Sequence, residues 1–404
     1  MSDWAEVELG DLIDIFDSRR IPLSSRERAS RRGPYPYYGA QGVIDQIDDY
    51  LFDGRYILIP EDGENLRSRK LPIAFFADGR FWVNNHAHII KGKPGLAVDR
   101  FIQSAVEAAD IGGWVTGAAQ PKLSQANLKR IRVSVPPLAE QQTIGEILDA
   151  FDDLIENNRR RVVLLEEMAR ELYREWFVRF RFPGHESTTF VDSDLGPIPE
   201  GWILTTCGEA LSFIGGSTPS KARPEFWDAG TIPWFTPTDL TKGNTRYVGE
   251  SAIPITGAGM SGSSARLFPA QSVLMTSRAT LGVLAICTKP ATTNQGFITF
   301  LPNDRWSPTF IFEWLHHNSE ELAALGTGAT FKEITKGALK RFPFLIPSQD
   351  ALDSFRQAVE GIEESIRVQE ATVRDLAQIR NLLLPRLVTG QIDVSDLDLE
   401  GVRA

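Results

Sequence analysis

One stretch of this chain occurs twice. Residues 116–137, TGAAQPKLSQANLKRIRVSVPP, align without a gap on residues 327–348, TGATFKEITKGALKRFPFLIPS, when 211 is added to each number. Thr116, Gly117, Ala118, Leu128, Lys129, Arg130 and Pro136 fall on the identical residues Thr327, Gly328, Ala329, Leu339, Lys340, Arg341 and Pro347. Each copy leads into a long run with an apolar stripe. A chain that carries one module twice is constrained to fold as a pseudo-dimer.

The stripe after the first copy is Leu148, Phe151, Ile155, Asn158, Val162, Leu165, Leu172 and Trp176, mostly in alternating steps of three and four. Charged residues fill between them, which predicts a helix of about forty residues, roughly 60 Å long at ~1.5 Å per residue. A helix that long buries its stripe against another helix. The same offset gives Val359, Ile362, Ile366, Gln369, Val373, Leu376, Leu383 and Leu387 in the same phase, and antiparallel packing of the two is expected. Asn158 and Gln369 correspond under the offset. They read either as a buried amide pair that fixes register or as two residues reaching solvent at a helix crossing.

Elsewhere the texture is mixed. Residues 1–135 hold short apolar runs punctuated by Gly, Pro and Asp, such as Tyr56–Ile59 before ProGluAspGly, the pattern of a strand-rich domain. After the first long run, Pro183-Gly184 and the stretch Leu195-Gly196-Pro197-Ile198-Pro199-Glu200-Gly201-Trp202 read as a stiff linker. Trp202, Gly208 and Glu209 match Trp4, Gly10 and Asp11 at an offset of 198, and the offset rises to 211 by Thr327, so 13 residues (211 − 198) are gained inside the second globular part. The resulting division is a globular domain at 1–135, a helix at 136–182, a linker at 183–201, a second globular domain at 202–346, a second helix at 347–390 and an acidic tail at 391–404. The expected fold class is α+β: two mixed α/β domains separated by two long antiparallel coiled-coil helices.

Charge and cysteines narrow the function. Cys207 and Cys287 stand far apart without CxxC or Cys/His clustering, so a disulfide framework and a zinc site are both disfavoured. No run of 18 apolar residues occurs and the first twenty residues are acidic, so a soluble, cytoplasmic protein is expected. The net charge of −10 speaks against indiscriminate nucleic-acid coating. Its distribution is uneven: Arg19, Arg20, Arg26, Arg28, Arg31 and Arg32 crowd one segment, while Asp393, Asp396, Asp398 and Glu400 crowd the tail against Arg403.

The order of domain, helix, LGPIPEGW linker, domain and helix resembles the specificity (S) subunit of type I restriction-modification enzymes. PPLAEQQ at 136–142, PYYGAQG at 36–42, DGRYILIPEDG at 53–63, NNHAH at 84–88 and LPRLVTGQI at 384–392 carry the resemblance with the linker, and it covers essentially the whole chain. It implies two target-recognition domains, each reading half of a split double-stranded DNA sequence. It further implies two methyltransferase subunits docked on the helices, motor-nuclease subunits joined through them, and a role in phage defence. AdoMet, ATP and Mg then belong to those partners, and this chain is a non-catalytic subunit. The residues agree: GxxxxGK[ST] is absent, and Val135-Pro136-Pro137-Leu138 lacks the residues an adenine methyltransferase places around its ProPro. A pseudosymmetric scaffold with a different partner is the alternative.

Base readout needs amides, guanidinium groups and short hydroxyls, and phosphate contact needs Lys, Arg and backbone amides. In the first domain the candidates are Tyr37, Tyr38, Gly39, Asn84, Asn85, His86, Gln120 and Lys122. In the second they are Thr218, Ser220, Thr236, Thr238, Ser277, Arg278, Asn294, Gln295 and Lys332. His86 and His88 share one face of a strand with no third metal ligand in sight, so no metal site is expected.

Overall fold

The computed structural model describes residues 4–243, 245–328, 332–395 and 397. Ala329 of the repeat and Asp396, Asp398, Glu400 and Arg403 of the tail lie outside them. The chain forms two compact units, residues 1–155 with 375–404 and residues 156–374. The division cuts both long helices, so each unit owns one mixed α/β domain and half of each helix. Among the described residues no helix is long and apolar enough to cross a membrane.

In the first unit, strands 13–15, 87–92, 56–60 and 75–77 form an antiparallel sheet in that order. A second sheet runs 42–47, 35–39, 80–83, 52–53, and its middle pair is parallel. In the second unit the main sheet runs 213–215, 297–300, 273–276, 284–287, 247–248, with a separate parallel pair of 234–235 and 292–293. Central strands such as Tyr56–Pro60 and Val273–Thr276 are buried along their whole length, which is why they read as continuous apolar runs.

The duplication holds residue by residue. Ala5 pairs with Val135 and Ile203 with Ile346, so each antiparallel ladder keeps the 198 and 211 offsets (5 to 203, 135 to 346). A Cβ on Gly10 would lie 2.9 Å from Lys129 Cβ, and one on Gly208 3.0 Å from Lys340 Cβ, so both glycines admit the same close approach. Ser124 and Thr335, again 211 apart, both N-cap the short helix carrying LeuLysArg.

The long helices span Leu138–Tyr173 and Gln349–Val388. The first ends in a π turn at Arg174–Val178, and the position equivalent to Arg174 in the second is Pro385, whose ring removes a backbone donor. The two helices run antiparallel within each unit. In the first, Asp152 meets Arg380 at 3.0 Å and Ile144 and Leu148 share a core with Leu384 and Leu387; in the second, Tyr173 packs on Phe355. Every residue of both predicted stripes is buried or half-buried.

Asn158 is buried, and the Oε1 of Gln369 is buried without a hydrogen-bond partner among the described residues. The amide pair is not closed through that oxygen. A buried, unsatisfied acceptor costs about 1–3 kcal/mol. Gln369→Leu should therefore raise the melting temperature by about 2–4 °C, and a lower value in a thermal melt would show that the amide stabilises the crossing.

A buried ion network ties the second domain to the second long helix. The Arg246 guanidinium pairs with Glu313 and Glu363, each at 2.7 Å, and the Arg246 and Tyr247 amides donate to Glu370 at 2.5 and 3.0 Å. Burial, with the nearby Glu166 adding to it, pushes the Glu370 carboxyl up to about 7. Burial and then the charges of Arg170, Arg174 and Arg246 push His316 down to about 4. The signs differ. Folded Glu370 keeps its proton between its unfolded value near 4.5 and 7, so its contribution to stability is lost as pH rises through 7; His316 contributes in the opposite sense, and only below 6.5. Between pH 6.5 and 8 the melting temperature should fall, and Glu370→Gln should flatten that slope. An unchanged slope in the variant would rule out Glu370 as its source.

Candidate nucleic-acid interface

In the first unit four distant stretches are stitched together by backbone hydrogen bonds. Asn84 N donates to Tyr38 O (3.0 Å), Glu61 N to His86 O (2.8 Å), Leu123 N to Glu61 O (2.8 Å) and Gly63 N to Pro121 O (3.0 Å). The repeated TGAAQPK stretch is a tight loop closed by mutual Thr116 and Lys122 bonds at 2.9 and 2.8 Å. Gly117 turns it at φ +86°, where a Cβ would meet Gln120 O at 2.2 Å, so the shared ThrGly has a steric cause. Asn84 Oδ1 accepts from His86 N at 2.8 Å and shapes the turn that presents Asn85 and His86.

Asn85, His86, Gln120 and Lys122 are exposed on this surface. Tyr38 is half-buried against Phe75 and Phe81, and burial pushes its hydroxyl pKa up. Gly39 and Asn84 are buried beneath, where they contribute backbone and turn geometry. Tyr37 is a correction. It is 0% exposed, with its hydroxyl accepting from Leu23 N, because neighbouring residues of a strand face opposite ways and Tyr37 faces the core.

Beneath the tips lies a charge cluster whose members are far apart in sequence. His88 Nδ1 meets Asp17 Oδ2 at 2.6 Å and Nε2 meets Leu123 O at 2.8 Å, while Glu61 pairs with Arg20 (2.8 Å) and Lys122 (3.2 Å). Asp17, Glu61 and His88 thus form a group of metal-type ligands that was not visible in the sequence and that does not include His86. Their ligand atoms are already engaged by Arg20, Lys122 and the Leu123 carbonyl. Burial works to raise Glu61, but hydrogen bonds from Arg20 and Lys122 outweigh it and hold its pKa below the usual range. Exposed His86 is held separately by Asp62 at 2.7 Å.

The second unit repeats the stitching. Asn294 N donates to Phe235 O (2.9 Å), Ser277 N to Gly296 O (2.7 Å) and Ile334 N to Ser277 O (2.9 Å), and Thr327 and Glu333 exchange bonds at 3.1 and 2.9 Å. Asn294 Oδ1 accepts from Gly296 N, as Asn84 does from His86. These bonds equate Phe235, Ser277, Arg278, Asn294 and Glu333 with Tyr38, Glu61, Asp62, Asn84 and Lys122. Charge is inverted at one pair: bridged Asp62 and Lys122 become bridged Arg278 and Glu333, whose bidentate ion pair is 2.8 Å at both oxygens.

Thr218 donates to Gln295 at 2.6 Å, and Thr236 is occupied by Asp239 at 2.6 Å. Gln295, Ser220 and Lys332 are exposed, while Thr238 stands apart on the helix Pro237–Gly243. Ser277 is a second correction: at 2% exposure it continues the buried strand 273–276 and offers no surface hydroxyl. The early arginine cluster is also largely spent internally. Arg20 pairs with Glu61, Arg28 with Asp45 and Arg31 with Asp48, and Arg19 donates to Leu51 O.

Residues 1–167 and 199–360 match the family model described as type I restriction modification DNA specificity domain, one match on each side of the linker. The chain is 23% identical to the type I restriction enzyme HindI specificity subunit of Haemophilus influenzae, over 97% of this chain and 100% of that one. It is 34% identical to the MjaIX specificity subunit of Methanocaldococcus jannaschii over 43% of this chain, a match spanning only 40% of that relative. Its fold resembles the crystal structure of a type I restriction-modification system S subunit from M. genitalium, with TM-score 0.60, 14% identity and 96% of each chain covered. The duplicated interface, the ladders that repeat its register and the paired family matches agree: the chain belongs to the type I restriction-modification DNA specificity subunits.

Proposed function

We propose that this chain reads a bipartite double-stranded DNA target, one half-site per unit, as the non-catalytic subunit of a cytoplasmic complex with methyltransferase and motor-nuclease subunits. The observation that carries the reading is the polar-tipped surface built twice on the same backbone stitching: Asn85, His86, Gln120 and Lys122 tip one copy, and Gln295, Arg278 and Lys332 tip the other, with only Asn85 and Gln295 in equivalent positions. Amides and a guanidinium on a braced backbone are the chemistry of base readout. The different side chains on equivalent frames suit two different half-sites.

The helices supply the rest. Val163, Leu164 and Met168 are exposed apolar residues on the first helix, off the buried stripe, and suit a protein partner. Helices of fixed length would set the gap between half-sites, with about one DNA turn, ~34–36 Å, natural for modules reading one face. Adenine methylation, AdoMet, ATP and Mg belong on this reading to the partners.

The test is co-purification with the methyltransferase followed by methylation mapping on genomic DNA, with a split consensus expected. Arg278→Ala should relax one half-site only, with a loss of about 1–3 kcal/mol at the affected base pair. Equal loss in both halves would contradict the division of labour.

A further inference from the structure

The two units treat one equivalent place differently. Tyr37 and Trp82 stand side by side in the first unit's parallel strand pair, and Trp234 and Thr292 hold those positions in the second. In the first unit the aromatic pair is covered by the preceding segment of its own chain. Leu23 N donates to Tyr37 Oη at 2.9 Å, Trp82 Nε1 donates to Ile21 O at 2.6 Å, and the guanidinium groups of Arg28 and Arg31 lie 5.1 and 5.0 Å from the ring centres of Tyr37 and Trp82. In the second unit the corresponding segment leaves a cavity of about 780 Å³ lined by Lys221, Trp227, Asp228, Trp234, Asn294 and Gln295.

The cavity's chemistry is selective. Trp234 Nε1 donates to Ser217 O at 2.9 Å and Trp227 Nε1 to Ser220 O at 3.0 Å, and the rings meet edge to face at 5.0 Å. Both indoles are therefore pinned by their only donors; Trp234 is 4% exposed, so the ring surface open to a ligand is that of half-buried Trp227. Asn294 Oδ1 is taken by Gly296 N at 2.8 Å, and Gln295 Oε1 by the Thr218 hydroxyl at 2.6 Å. Each amide then presents its NH₂ group, unpartnered among the described residues. Two amide donors and the Lys221 ammonium call for acceptors on a flat ligand, and the Asp228 carboxylate calls for a donor beside them. A guanidinium from a protein partner has five donors and no acceptor, so it would meet Asp228 but leave both amides and Lys221 unanswered. A nucleobase stacks on aromatic rings, accepts at its ring nitrogens and carbonyls, and brings a phosphate. The volume lies within the range of small-ligand sites, ~300–1,000 Å³.

We propose that this cavity receives a nucleobase swung out of the duplex within the half-site read by the second unit. The inference rests on the DNA-reading function and deepens it. The first unit fills the same place with its own arginines and extrudes no base, so the two half-sites are handled by different physics. Asn294 and Gln295 belong to the turn equivalent to Asn84 and Asn85, which sets the cavity's mouth beside the reading surface.

The test uses the full chain assembled with its methyltransferase on the target found by methylation mapping. Each base pair of the second half-site is replaced in turn by a mismatch that keeps one of its two bases. A base that must leave the stack does so more easily when unpaired. One nucleotide other than the methylated adenine should therefore show about tenfold tighter binding when mismatched. Trp227→Leu, and independently the surface change Gln295→Ala, should abolish that gain and leave the first half-site unaltered. A mapped target with no such nucleotide, or a gain that survives in both variants, overturns the cavity's role alone. So does burial of the cavity tryptophans by the methyltransferase without DNA, read as a fluorescence change. Absence of any methylated target overturns the DNA reading and the cavity's role with it.

Discussion

Replacing Arg246 by Met should destabilise the second unit by about 3–5 kcal/mol, the usual cost of removing one partner from a buried ion pair. Arg246 and Glu313 are both 0% exposed in their side chains, and the guanidinium also touches Glu363 at 2.7 Å and lies 4.0 Å from the ring centre of Phe312. Without it, two carboxylates face each other in a site from which water is excluded. Burial already holds Glu313 above the usual carboxylate range, with Arg246 opposing, so the variant would relieve part of the strain by taking up a proton. The penalty should therefore grow with pH. Pairing Arg246→Met with Glu313→Leu removes both members of the fully buried pair and leaves Glu363, which is partly exposed and keeps the Tyr247 hydroxyl; such apolar replacements are often neutral or better. The double variant should recover most of the loss. Denaturant unfolding followed by tryptophan fluorescence measures both; a single-variant loss under about 1 kcal/mol, or a double variant no better than the single, would refute the argument.

The scaffold was legible in the sequence because its forces are periodic. An apolar residue every three or four positions names a buried face, and a constant offset names its partner, so the stripe from Leu148 to Leu172 and its copy from Val359 to Leu383 could be located without coordinates. The 198 and 211 offsets were legible because Trp4, Gly10 and Pro136 each have a counterpart, but the ladders that carry them, 5–8 on 132–135 and 203–206 on 343–346, were not. The candidate interface was only half legible. Asn84, His86, Gln120 and Lys122 stood out by residue type, but Tyr37 and Tyr38 are neighbours on a strand, and nothing local says which of them faces the core. Ser277 was misread for a related reason: a short polar residue after an apolar run looks like a loop, yet the strand's hydrogen bonding carries on through it. Charge was the least legible of all. Arg246 meets Glu313 and Glu363 across 67 and 117 residues, and Asp17 meets His88 across 71, and such pairings leave no periodic trace. The early arginines looked like a basic face until Asp45, Asp48 and Glu61 were brought beside them.

Phe355→Ala should cost about 3–5 kcal/mol, the range for emptying a buried aromatic site. Phe355 is 0% exposed at the start of the second long helix, and its ring meets those of Phe177 at 5.1 Å, Trp176 at 5.9 Å, Tyr173 at 6.2 Å and Phe310 at 6.4 Å. Three of these come from the end of the first helix and its π turn and one from the second domain, so a single side chain joins three elements. Aromatic neighbours have few rotamers with which to close the gap, which favours the upper part of the range. Subtracting 211 gives Ile144, also 0% exposed, in a core with Leu148, Leu384 and Leu387. Ile144→Ala should cost about 2–5 kcal/mol there. The two substitutions occupy the same place in the repeat but different cores, so their effects should be separable by hydrogen exchange. Phe355→Ala should speed exchange in strands 273–276 and 297–300 while strands 56–60 and 87–92 keep their protection, and Ile144→Ala should do the reverse. Assembled on DNA, each should weaken its own half-site first. If either substitution lowered protection equally in both units, the two halves would be one cooperative body, and the independence on which separate reading depends would be lost.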